Sequence, residues 1–295
     1  MTHSLATAYR VHELCEVFEV SRSGYYAWRN GGRAKRAKAN AELTDQIRTV
    51  HRESRATYGS PRVTKDLQVR GIRCGHNRVA RIMAQAGLRG MQKARFRPRT
   101  TDSRHECPIS PNRLGDGVLV SEPNRVWVTD ITYIATREGW AYMSAFMDLS
   151  TRTIKGWVLR DSLKSRLVVD AFLQAVWRYK PSAGLIVHSD RGSQYAAEEF
   201  RRHLSAYEAL GSMSRTGNCY DNATMESFWA TLKTELQLDH PFETKEEARL
   251  AIFDYIETFY NRRRLHSSIG YKSPLEFEAQ LMAKITYPQV SANSG

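Results

Sequence analysis

Val126-Trp127-Val128-Thr129-Asp130-Ile131-Thr132-Tyr133-Ile134 reads as a β-strand, rich in β-branched and aromatic residues and interrupted by a single acid. A carboxylate inside such a run is costly to bury unless something pairs with it. Further along, the apolar run Gly184-Leu185-Ile186-Val187-His188-Ser189 ends in a second acid, Asp190, and the turn Arg191-Gly192 follows. A third acid, Glu226, falls in a helix predicted over 223–236. Three acids on three separate elements suggest a site of hard oxygen ligands for divalent ions. Two ions held this way suit phosphoryl transfer by in-line displacement.

Around these acids the pattern predicts strands at 126–134, 140–149 and 153–160, with Arg137-Glu138-Gly139 as a turn. A helix is predicted at 165–179, with Leu167, Val168, Ala171, Phe172 and Val176 on one stripe. Then come a strand at 184–189, a helix at 195–209, a short strand near 211–215, the Glu226 helix, and a long helix over 245–265 with Ile252, Ile256 and Tyr260 inward. Periodicity alone supports a mixed α/β domain.

Charge divides the chain. Of 295 residues, the first 120 hold 23 Lys/Arg against 10 Asp/Glu, while the remainder holds 21 of each, so the whole net charge of +13 lies in the N-terminal part. A basic arm on a neutral body points to a polyanion partner. No stretch approaches the roughly 20 apolar residues that cross a bilayer, and no signal-peptide pattern is present. Cys15, Cys74, Cys107 and Cys219 form no Cys-x-x-Cys pair, so a reduced, cytoplasmic protein without a zinc ribbon is expected.

Within the basic part, residues 8–29 read as a short helix-turn-helix in which Ser21 caps the second helix. A polar spacer is expected from Asn30 to Lys38. Residues 39–90 read as a second helical module: one helix over 41–53, one starting at Ser60-Pro61, and a third over 77–87 with Val79, Ile82 and Met83 inward and Arg78 and Arg81 outward. This fits a helix-turn-helix whose last helix enters the major groove, or else a dimerisation module. Residues 91–115 carry Arg95, Arg97 and Arg99 at alternate positions, an extended linker that either tracks phosphates or is a plain tether.

The details carry a family resemblance. Between Asp190 and Glu226 lie 35 residues. That spacing joins Trp127-Val128-Thr129-Asp130-Ile131-Thr132-Tyr133 to Asn222-Ala223-Thr224-Met225-Glu226-Ser227-Phe228. With Tyr260-Asn261-Arg262-Arg263-Arg264-Leu265-His266-Ser267 and Ser273-Pro274 downstream, the chain resembles DDE transposases. More narrowly, it resembles the OrfB type of the insertion-sequence-three family, relatives of retroviral integrases, over most of its length. The zinc-binding His and Cys pairs of retroviral integrases have no counterpart here.

The resemblance implies a ribonuclease-H-like mixed sheet flanked by helices. N-terminal helix-turn-helix-like DNA-binding modules would precede it (1–38 and 39–90) along with a basic linker (91–120). The catalytic core would span 121–237, and a C-terminal helical extension 238–295. It implies that Asp130, Asp190 and Glu226 are catalytic and hold two Mg²⁺ (or Mn²⁺), with Asp130 bridging. It also implies that Lys233 contacts the DNA end, a solvated helix lysine being the alternative. Arg264 and His266 would either contact DNA or steady the Glu226 region. Asp221 is the rival third acid. Asp148 reads as a turn residue, and His188 as a packed histidine near the site. The implied partners are DNA, as terminal inverted repeats and target, a second copy of the chain on paired ends, and an upstream OrfA. A nuclease that cuts without joining and a DNA-binding regulator on a degenerate scaffold are the competing readings.

Overall fold

The computed structural model describes residues 10–29, 32–92, 108–114, 120–214 and 223–286. The chain divides into two compact units, Met1–Gly90 and Met91–Gly295.

The first unit is helical: α1 (Val11–Val17), α2 (Arg22–Arg29), α3 (Gly32–Glu53), α4 (Ser60–Val69) and α5 (His76–Gln85). Ser21 Oγ accepts the Gly24 N–H at 3.1 Å and so caps α2. The last three helices pack on one another, burying Leu43, Ile47 and Val50 of α3 with Val63, Leu67, Val79, Ile82 and Met83. The spacer expected at 30–38 is, from Gly32 on, the first part of a 22-residue helix. Polarity suggests a loop there, but Ala, Lys and Arg are among the best helix formers. Once the later half of α3 is anchored by burial, they continue it.

The second unit is built on a five-stranded sheet in the order β3-β2-β1-β4-β5. Its strands are β1 (Val126–Thr136), β2 (Gly139–Asp148), β3 (Ile154–Arg160), β4 (Ile186–Ser189) and β5 (Leu210–Met213). The first three are antiparallel, and β4 and β5 run parallel to β1. This is the expected ribonuclease-H-like architecture, with the Asp130 strand central. On one face, α6 (Ser165–Tyr179) supplies Val168, Ala171, Phe172 and Ala175 to a core shared with Trp127, Phe146 and Val187. Gly156 on β3 permits this contact, because a Cβ there would lie 2.5 Å from the Ala171 carbonyl oxygen.

The helix expected at 195–209 is two, α7 (Ser193–Ala196) and α8 (Glu198–Ala206), broken at Ala197, which is extended. On one unbroken helix, residues five apart point about 140° apart. The break lets Tyr195 and Phe200 both enter the core, with ring centroids 5.8 Å apart.

Beyond the sheet lie α9 (Ala223–Glu235), α10 (Lys245–Phe253), a π-helical segment (Asp254–Tyr260) and α11 (Pro274–Thr286). The single helix expected over 245–265 is therefore interrupted. The wider π turn ends at Asn261, whose side chain accepts from the Ile154 N–H at 2.9 Å and donates to the Ile154 carbonyl at 3.0 Å. That amide stands in for a neighbouring strand at Ile154, and Gln174 Oε1 does the same for the Trp157 N–H at 2.7 Å, so side chains cover part of the β3 edge. Close by, the fully buried Lys155 donates to Glu278 at 2.6 Å and faces Asp148 at 3.9 Å. Burial pulls the Lys155 amine down while Glu278 and Asp148 push it up.

Candidate active site

The parallel register of β1 and β4 pairs Val126 with Ile186, Trp127 with Val187 and Val128 with His188. The ladder ends there: β1 runs on through Asp130, while β4 stops at Ser189 and Asp190 follows it directly. The two carboxylates are near enough for the charge of Asp190 to act on Asp130. Asp130 Oδ1 accepts from the Ile131 N–H at 2.8 Å, and Oδ2 accepts from the Trp229 indole at 3.1 Å. Burial, followed by the charges of Asp190 and Glu226, pushes the Asp130 carboxyl up from 3.8 to about 7 against those two hydrogen bonds. Asp190 is oriented by the Gly192 N–H at 3.0 Å, and Arg191 Nε holds the following loop to the Ser214 carbonyl at 2.8 Å.

Glu226 is exposed in the first turn of α9. Three contacts seat that helix. In its middle, Trp229 reaches across to Asp130. At its start, Arg152 Nη1 donates to Thr224 Oγ1 at 2.7 Å. At its end, Glu235 takes a two-pronged grip from Arg264, with Nε at 2.8 Å and Nη2 at 2.6 Å, plus the Tyr255 hydroxyl at 2.8 Å. Sequence pattern assigns no role to Arg152 or Asn261. It places Trp229 on the Glu226 face by its i+3 spacing, a signal that stops short of naming Asp130 as its partner.

Several expected residues take other places. Arg264 is only 3% exposed and engaged with Glu235, a placement that favours the second of its two expected readings, support of the Glu226 region, over a DNA contact. His266 Nε2 accepts from Arg264 Nη1 at 3.2 Å, and its ring meets Tyr260 edge-on, so it supports the same strut. Arg78 turns inward, with Nε and Nη2 on Asn40 Oδ1 at 3.0 and 2.8 Å, rather than outward as expected, because α3 extends far enough back to present an acceptor. Arg81 is exposed.

Lys233 is half-buried; desolvation lowers its pKa and Asp130 opposes that shift. Asp148 binds Ser150 and Thr151 in its own turn, and His188 is buried between Ser212 and Ser214. Arg95, Arg97, Arg99, Cys219 and Asp221 lie outside the described residues.

Trp229→Phe tests the central contact, since it keeps the ring and removes the donor. A hydrogen bond to a charged group contributes about 1.5–3 kcal/mol, so a loss of roughly tenfold or more in activity is expected, with DNA affinity unchanged in a binding titration. Activity within twofold of wild type would remove Trp229 from the positioning of Asp130.

The donor set fits magnesium. Mg²⁺ takes one or two carboxylates and keeps water and phosphate oxygens in its remaining positions. Here Asp190 and Glu226 raise the cost of ionising Asp130, and Glu226 is exposed to solvent. Among the described residues no group of three acidic, His or Cys side chains is gathered closely enough to hold a metal ion.

Residues 120–219 and again 210–274 match the family described as integrase core domain, and residues 38–96 match an HTH-like domain. The chain is 43% identical over 264 residues to an uncharacterized 31 kDa protein of insertion element IS600 from Shigella sonnei, covering 90% of this chain and 97% of that one. It is 36% identical over 277 residues to transposase InsF of insertion sequence IS3A from Escherichia coli, covering 93% and 96%. The chain belongs to the IS3 family of transposases. The transposase also aligns with the HTLV-2 integrase catalytic core domain in complex with magnesium, at 18% identity and a TM-score of 0.42, covering 53% of this chain and 97% of that one. Among the described residues of the transposase, no helix is long and apolar enough to cross a membrane.

Proposed function

We propose that this IS3-family transposase binds the terminal inverted repeats of its element, cleaves a strand to leave a 3′-hydroxyl, and joins that end to target DNA. The observation that supports this best is that the charges of Asp190 and Glu226 both reach Asp130 on the central strand, with the Glu226 helix clamped to Asp130 through Trp229. Asp130, Asp190 and Glu226 would hold two Mg²⁺ or Mn²⁺, with Asp130 shared. Such ions supply activation of the attacking oxygen and stabilisation of charge on the leaving oxygen. The chain's own part is positioning. The central strand fixes Asp130, the Gly192 amide fixes Asp190, and the three contacts on α9 set where Glu226 stands. Lys233, half-buried two turns beyond Glu226, is suited to a phosphate of the bound end.

DNA recognition falls to the basic N-terminal part. Arg81, exposed on α5, is the candidate base reader there, while Arg78 braces the helix that carries it. Arg95, Arg97 and Arg99 are proposed as phosphate contacts. Paired ends imply a homo-oligomer, and an upstream OrfA is a proposed partner of this cytoplasmic enzyme.

The test is a labelled element-end duplex incubated with the full chain in different ions. Cleavage and joining are expected with Mg²⁺ or Mn²⁺. With Ca²⁺, binding without chemistry is expected, because Ca²⁺ takes more ligands at longer distances. Full activity in EDTA would sink the metal mechanism. Cleavage without joining would favour a nuclease.

A further inference from the structure

α3 is longer than the core it serves. Its buried residues, Leu43, Ile47 and Val50, all lie toward its C-terminal end. Followed back at helical spacing, the same stripe continues onto Asn40 and Arg36. Four cations, Arg33, Lys35, Arg36 and Lys38, stand in this first part, and no acid occurs between Glu19 and Glu42. Lys35, Arg36 and Lys38 are exposed. Among the described residues, none of the three has an ion-pair partner.

As an isolated helix end this is unfavourable three times over. Lys35 and Lys38 are three apart and repel. Positive charge near a helix N-terminus opposes the macrodipole, and the first turn holds no acid. Nor does apolar burial offset these costs here, since the buried stripe begins further along. A polyanion lying against this surface would relieve both the repulsion and the unscreened charge.

The surface is also held in a fixed place. Just past the basic turns, the Arg78 guanidinium binds Asn40 Oδ1, and its Nη2 also donates to the Ala39 carbonyl at 3.2 Å. This locks α3 to the first turn of α5. Ser60 Oγ and His76 Nε2, 3.0 Å apart, lock the start of α4 to the start of α5. The N-terminal turn of a recognition helix is the part that meets base edges, and here the cations flank that turn on a rigid neighbour. The HTH-like match begins at residue 38, so Lys35 and Arg36 precede it.

We propose that Lys35, Arg36 and Lys38 form a sequence-independent clamp on the phosphate backbone of duplex DNA, seated beside the first turn of α5. The inference rests on the DNA-binding reading above and assigns it to residues whose polarity alone suggests a spacer.

The experiment compares the full chain with its Lys35→Gln/Arg36→Gln/Lys38→Gln variant, since Gln has nearly the helix propensity of the residues replaced. Anisotropy is read on element-end and scrambled duplexes at several salt concentrations. With three phosphates no longer neutralised, log K against log[salt] should become shallower by about 2.7. Affinity for both duplexes should fall by the same factor, leaving discrimination intact. The charge-keeping Lys35→Arg/Lys38→Arg variant should retain the wild-type slope. If circular dichroism shows that the triple variant has lost helix, the single Lys38→Gln change serves instead, with an expected change of about 0.9. An unchanged slope in a folded variant overturns the clamp, as does a loss of discrimination at constant slope, which would make these residues base readers. Wild-type binding that ignored salt would bring down the DNA-binding reading itself, a result distinct from a steep wild type with an equally steep variant.

Discussion

Asp130→Asn is expected to abolish cleavage and joining and, at the same time, to make the metal-free protein more stable above neutral pH. The first effect follows from its place: on the central strand, within reach of the charges of Asp190 and Glu226, and held by Trp229. The second follows from linkage. Burial first, then Asp190 and Glu226, push the Asp130 carboxyl up from 3.8 to about 7. The fold therefore binds this proton more tightly than the unfolded chain does. Its stabilising contribution is complete below about pH 4 and is lost as pH rises through about 7. At about 1.4 kcal/mol per pH unit the upper limit is about 4 kcal/mol, and the partial exposure of Asp130 reduces it to roughly 1–3. Asn accepts the same Trp229 hydrogen bond without ionising, so it escapes that loss.

Thermal melts in EDTA at pH 5 and pH 8 read this directly. Wild type should fall toward pH 8 relative to the variant, by about 4 °C or more, and added Mg²⁺ should restore wild type alone. Asp190→Asn and Glu226→Gln should be equally inactive, and double variants little worse than single ones, because the three act as a unit. End binding should survive in all of them. Activity above about a tenth of wild type in any one would remove that acid from the site. A variant no more stable than wild type at pH 8 in EDTA would show that Asp130 is not a strained, desolvated carboxylate.

Local pattern is enough to read the elements that carry these acids, and not enough to read what holds them. The helix predicted at 165–179 is found at those bounds, because a strong apolar stripe with a polar start leaves little choice of period. β1 is legible for the same reason. The parallel offset of β1 and β4, which brings Asp190 near Asp130, is not written in either strand; it is set by how the sheet closes. The clamps on α9 join residues 99, 72 and 29 positions apart, and periodicity names a face but no partner. The spacer expected at 30–38 proves helical because polarity is not irregularity. The helix changes to a π turn after Phe253, and Asn261 at the end of that turn meets the edge of β3, a contact that no local signal announces. In the run Arg262-Arg263-Arg264 the charge suggests a polyanion, and only burial separates the inward Arg264 from its two exposed neighbours.

That separation gives the second large effect. Arg264→Ala would leave Glu235, 6% exposed at its side chain, as a buried carboxylate with the Tyr255 hydroxyl in place of its cation. Breaking a buried pair from one side costs about 3–5 kcal/mol, so a sharp fall in melting temperature is expected. Arg264→Lys keeps the charge without the two-pronged geometry and should fall between. Replacing both partners, Arg264→Met with Glu235→Gln, should recover much of the stability, since no unpaired charge remains. The recovered double variant is the informative one. If the pair only stabilises the fold, activity returns with stability. If it also sets the angle of the helix that carries Glu226, activity stays low in a well-folded protein whose DNA affinity and salt dependence match wild type. A DNA contact predicts the reverse for every Arg264 variant: a wild-type melt with a shallower salt dependence. That result would overturn the structural assignment of Arg264 and return the motif to the DNA interface.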